Sequence, residues 1–134
     1  MSKKSKELNL LEAYTHMGAF DFAVYCVVGD YNNACRYVAW KFEDSAFESF
    51  AQDSNKGYEP RGKTFFRTGY VPVIWIPKIP QTPREYATLS HECLHAVFYM
   101  MDWANVPTII ETDEVSAHAM AHLINNILSK ISKE

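Results

Sequence analysis

His91-Glu92-Cys93-Leu94-His95 brings two imidazoles and a carboxylate within five residues. On a helix, residues four apart project from the same face, one turn above each other. The two imidazoles can therefore converge on one zinc ion, and the glutamate between them can reach a water bound to that ion. The pattern names a metal, a nucleophile and a general base together. Cys93 points away from the face shared by His91 and His95 and is expected in the core.

A catalytic zinc usually takes three protein ligands and a water, so a further ligand is needed. The downstream candidates are Glu111, Asp113, Glu114, His118 and His122. Of these, Glu114, His118 and His122 lie four apart on one helical face. The short connection over 105–111 predicts that their helix doubles back against the one carrying the histidines, which would let this face point at the metal.

The helix that must position the pentapeptide has the best-marked start in the chain. Thr82-Pro83-Arg84-Glu85 predicts a capping box, with Thr82 as N-cap, Pro83 at the first helical position and Glu85 reaching back. The helix should run to about Ala104, with Asn105 taking a left-handed cap and Pro107 preventing continuation. Leu89, Ala96, Val97, Phe98, Met100 and Met101 make it apolar enough to be buried on most sides. A last helix is expected from Thr112, whose hydroxyl can cap it, to about Ile131. Upstream, Lys63–Arg67 and Val71–Ile76 predict two strands joined as a hairpin through Thr68-Gly69-Tyr70. Phe20–Val28 predicts a buried strand closed by Gly29-Asp30, and Tyr31–Glu43 an amphipathic helix. Residues 8–17 are expected as a short helix after a frayed basic tail over 1–7. The whole is one α+β domain spanning 1–134, with a small antiparallel or mixed sheet.

The bulk properties agree with a globular chain. It has 134 residues, 48% of them apolar and 14% aromatic, sufficient for a hydrophobic core without staples. A net charge of -3 argues against general nucleic-acid binding and leaves a small or peptide substrate open. No apolar run approaches a membrane span, and no signal-peptide core follows the basic start, so a cytoplasmic setting is expected. Three cysteines without C-x-x-C spacing fit the same reducing compartment.

The segment from about Lys63 to Leu123, nearly half the chain, resembles the core of a minimal gluzincin, the thermolysin-like class of zinc peptidase. It also resembles small H-E-x-x-H proteins encoded by bacteriophages, in Thr82-Pro83, His91-Glu92-x-x-His95-Ala96 and Glu114-Val115-Ser116-Ala117. The metzincin extension fails, because Phe98 and Met101 stand where glycine and histidine are required. The resemblance implies a zincin-like fold and one zinc ion per chain, held by His91, His95 and Glu114. Glu92 would be the base that takes a proton from water and hands it to the leaving amine. His118 would orient a ligand, in place of the family's Asp or Tyr. The hairpin edge, Lys63-Thr64-Phe65-Phe66-Arg67, would bind an extended peptide or protein substrate by strand addition, with Arg61, Lys63 and Arg67 favouring acidic peptide. An ordinary charged edge strand is the competing reading of the same residues.

Two rival functions follow from other features. Gly57-Tyr58-Glu59-Pro60-Arg61-Gly62-Lys63-Thr64 matches the phosphate loop G-x-x-x-x-G-K-T of nucleotide-binding ATPases and GTPases. That loop works only between a strand and a helix N-terminus, and strand-like residues follow it here. The second rival keeps the zinc and drops catalysis: a non-catalytic protein that binds a host factor, with a closed metal site that His118 would complete.

Overall fold

The computed structural model describes residues 3–51, 61–66 and 71–132. At its centre lies strand β2 (Ala23–Val28), every residue of which is buried. Such a run of β-branched and aromatic residues suits a strand covered on both faces. Strand β1 (Leu11–His16) pairs with β2 antiparallel. On the other side β4 (Val73–Ile76) pairs with β2 in parallel, and β3 (Lys63–Phe65) pairs antiparallel with β4 at the sheet edge. The order is β1-β2-β4-β3. The predicted hairpin is therefore present as β3–β4, with shorter strands than expected; Arg67 and the turn residues 68–70 lie outside the described residues.

Side chains alternate across the sheet. Val24, Cys26, Val28, Ile74 and Ile76 enter one hydrophobic cluster, and Tyr25, Val27, Val73 and Trp75 enter the other. Helix α2 (Tyr31–Lys41) covers the second cluster. It is capped by Asp30, whose carboxylate accepts from the Asn33 N–H at 3.0 Å. Helix α3 (Ala46–Ala51) follows on the same side. Helices α4 (Pro83–Trp103) and α5 (Asp113–Ile131) cover the first cluster. The result is a four-stranded mixed sheet between two helical layers, a small α+β domain.

Two N-terminal expectations are corrected. The short helix expected over 8–17 is absent: 11–16 form β1, with Ala13 and Thr15 buried and Tyr14 and His16 exposed. Pairing along the whole length of β2 outweighs a local periodicity that fits either element. Within the expected tail, Lys3–Glu7 forms helix α1 with Ser5 buried. Asn9 ends it at φ 58, and the Leu10 N–H closes onto the Ser5 carbonyl at 2.8 Å. Gly29 is required where α1 meets the end of β2: it holds φ +146, and a Cβ there would stand 2.6 Å from Leu10 Cδ2.

The capping box of α4 is formed as predicted. The Glu85 N–H donates to Thr82 Oγ1 at 3.2 Å, and Glu85 Oε1 accepts from the Thr82 and Gln81 N–H groups. At the other end Asn105 is left-handed, and the Val106 N–H reaches back to the Met101 carbonyl. Thr112 does not cap α5 with its hydroxyl. That oxygen accepts from the Ile109 N–H at 3.2 Å and donates to the Pro107 carbonyl, tightening the turn before the helix. The three cysteines are buried, and burial pushes the Cys93 thiol up to about 12. Among the described residues, no helix is long and apolar enough to cross a membrane.

Candidate metal centre

The helical spacing brings the two histidines together. His91 and His95 are exposed, and their Nε2 atoms stand 3.2 Å apart. Two nitrogens held about 2.05 Å from a tetrahedral zinc are separated by about 3.3 Å, so the pair already spans one edge of such a site. The same separation serves a hydrogen bond between a protonated and a bare Nε2. In both cases the rings aim the same atom at one point.

Glu92 lies between them but faces a different environment. It is 7% exposed, one of four buried polar residues among the described residues. Thr64, in the middle of β3, donates its hydroxyl to Glu92 Oε1 at 2.8 Å and also lies 3.1 Å from the Glu92 carbonyl. One hydroxyl hydrogen serves one acceptor at a time, and the charged, closer oxygen is the stronger partner. The other carboxylate oxygen, Oε2, stands 4.0 Å from His91 Nε2. Gly62, just before β3, completes this packing: a Cβ there would meet Thr88 Cγ2 at 2.7 Å and Glu92 Cγ at 3.2 Å. A cavity of about 460 Å³ opens here, lined by Arg61, Gly62, Arg84, Thr88, His91 and Glu92.

The edge residues divide by strand alternation. Thr64 turns toward α4, whereas Phe65 is buried on the opposite side against α2 and α3. Lys63 goes with Phe65: its ammonium sits over the Phe65 ring at 5.0 Å and beside the Tyr31 hydroxyl at 3.5 Å. Lys63, expected as an edge charge favouring acidic peptide, therefore carries its ammonium on the face of the strand that α2 covers. Phe66 is exposed and packs against Tyr99 at 4.9 Å and His95 at 6.4 Å, forming an aromatic wall beyond the second histidine. Gly62-Lys63-Thr64 runs into a strand, not the helix N-terminus that a phosphate loop requires; residues 57–60 of that motif lie outside the described residues.

Glu114 and His118 are not brought to the histidines. They pair with each other, Glu114 Oε2 to His118 Nε2 at 3.3 Å, and both are exposed. Helix α5 does return alongside α4, but against its other flank. Ser116 reaches Met101 Sδ, and Asn126 and His122 hold Thr15 and the His16 carbonyl on β1. The stripe Ala119, Leu123, Ile127, Ile131 dictates that placement, because burying it against the sheet fixes α5 beneath β1, at the edge opposite β3. Among the described residues no group of three or more His, Cys, Asp or Glu is arranged to hold a metal.

The hydrogen bond from Thr64 to Glu92 is the contact at this site that is not expected from the residues alone, where Thr64 is part of a substrate edge. The signal was present in strand alternation, which sets Thr64 opposite its apolar neighbour Phe65 and toward the helix. Compared with known proteins, the chain matches no family model, no curated protein and no solved structure.

Proposed function

We propose that this protein is a zinc-dependent hydrolase that cleaves a peptide or related amide bond, with His91 and His95 as two of the zinc ligands and Glu92 as general acid/base. The observation that carries the reading is the convergence of the two Nε2 atoms at 3.2 Å beside a buried, hydrogen-bonded carboxylate. Zinc, when bound, supplies Lewis-acid polarisation of a carbonyl and acidification of water.

The chain's own groups account for the proton movements. Thr64 occupies Oε1 of Glu92, which leaves Oε2, on the His91 side, as the oxygen that accepts the proton of the attacking water. As the carbon–nitrogen bond breaks, the same carboxyl returns that proton to the leaving amine. β3 supports substrate placement, because it is an edge strand beside the histidine helix and an extended peptide can add to its outer side.

The test is metal analysis of purified protein together with cleavage of a peptide library by mass spectrometry. One zinc per chain is expected, with hydrolysis that disappears in Glu92→Gln while zinc is retained. Failure to bind zinc at neutral pH would overturn the proposal. Cleavage that persists in Glu92→Gln would overturn the role given to Glu92.

A further inference from the structure

We infer that Arg61 and Arg84 form a carboxylate-recognising subsite beside the candidate centre, so that the hydrolase proposed above, on which this inference rests, acts on acidic peptides. Both arginines line the 460 Å³ cavity at His91 and Glu92. Both also line an adjoining cavity of about 780 Å³, at the ends of the parallel strands β2 and β4. Thr88 is shared in the same way, so the two spaces meet at these three residues. Their combined extent suits a peptide segment more than a single small group.

The charges facing this region single out the two arginines. Lys78 also lines the larger cavity, but its ammonium is taken by Glu85 at 2.8 Å. Glu85 is in turn held by the Gln81 and Thr82 N–H groups, and Asp30 is turned to the Asn33 N–H as the cap of α2. Among the described residues neither Arg61 nor Arg84 forms an ion pair, and both are exposed. In a chain of net charge -3, two guanidiniums that form no ion pair among the described residues, on a cavity that also carries Glu92, are not the by-product of a generally basic surface.

Guanidinium groups match carboxylates by paired, charge-assisted hydrogen bonds, which gives orientation as well as attraction. Position supplies the rest. Arg84 sits at the second residue of α4, two turns before His91, and Arg61 stands next to Gly62, which packs on Glu92. A carboxylate held there places the amide next to it along the cavity toward Glu92. The carboxylate can belong to an acidic side chain or to a peptide C-terminus, and these correspond to internal and terminal cleavage.

The experiment uses metal-free protein and follows the side-chain Nε–H signals of Arg61 and Arg84 by NMR, assigned from Arg61→Gln and Arg84→Gln. Three probes are titrated: N-acetyl-glutamate N-methylamide, its neutral glutamine analogue, and N-acetyl-glutamine with a free terminal carboxylate. Saturable shifts of both signals are expected with at least one carboxylate probe and not with the neutral one. The doubly substituted variant, followed through the backbone amide signals of Gly62 and Thr88 on the same cavity, is expected to bind at least about tenfold more weakly. Whichever carboxylate probe binds more tightly identifies the source. Equal shifts with the neutral probe, or no saturable shift with any, would overturn the inference. Neither zinc nor turnover enters this measurement, so its failure leaves the hydrolase reading standing, and the failure of that reading leaves this result decided.

Discussion

The Thr64 hydroxyl on the edge strand donates to Glu92 Oε1 at 2.8 Å, joining the sheet margin to the middle of the histidine helix across 28 residues of chain. A largely buried carboxylate is costly unless it is hydrogen-bonded, so this contact holds Glu92 in place as well as orienting it.

Thr64→Val keeps the shape of the side chain and removes the donor. It is expected to destabilise the fold by about 1–3 kcal/mol, the range for leaving a buried acceptor unsatisfied. In the zinc-loaded protein it should lower kcat by roughly tenfold, a small part of what general acid–base catalysis contributes, with zinc content unchanged. Thermal unfolding and peptide-cleavage kinetics check the two effects. A variant that lost zinc instead would mean that Thr64 acts on the histidines and not on Glu92.

Zinc titration of single variants separates the two flanks of α4. His91→Ala and His95→Ala are expected to abolish stoichiometric binding. Because both side chains are exposed, the metal-free variants should keep wild-type stability within about 0.5 kcal/mol. Glu114→Ala and His118→Ala are expected to leave zinc affinity unchanged, since their pair stands apart from the histidines. Loss of zinc on Glu114→Ala would require α5 to present its first turn to the histidine face. That result would restore the ligand set implied by the gluzincin resemblance.

The start of α4 predicts an acid limit on stability. Lys78, with the Gln81 and Thr82 N–H groups, holds the Glu85 carboxyl down from its ordinary 4.5 to about 2. A carboxyl with a lowered folded-state pKa contributes stability that is fully present above the unfolded value and is lost as pH falls through the folded one. The contribution of Glu85 should therefore decline between about pH 4.5 and 2. Unfolding temperatures measured across this range should fall less steeply in Glu85→Gln than in the wild-type chain. Parallel curves would show that the Lys78–Glu85 contact carries no linkage.

Much of the positioning machinery was legible in the residues. Thr82, Pro83 and Glu85 begin α4 by contacts within four positions, and Asn105 ends it by a conformation open to few side chains. The four-residue spacing of His91 and His95 is set by helical geometry alone, and the run of β-branched and aromatic residues in β2 marked it as a buried strand.

Other features depended on contacts distant in sequence. The stretch that became β1 carries a pattern compatible with helix or strand, and only pairing with β2 decides between them. Lys63 looked like an edge charge until Tyr31 and Phe65 were brought beside it. The face of α5 bearing Glu114 was readable, but not the side of α4 on which it would lie.

By itself, then, the sequence determined the helix, the pair of histidines and the glutamate between them, because those follow from backbone periodicity and local capping. The tertiary structure decided that Thr64 anchors Glu92, that Arg61 and Arg84 meet at one cavity, and that Glu114 stands with His118. Those relationships depend on how apolar stripes are buried against one shared sheet, a choice made by the whole chain and not by any segment of it.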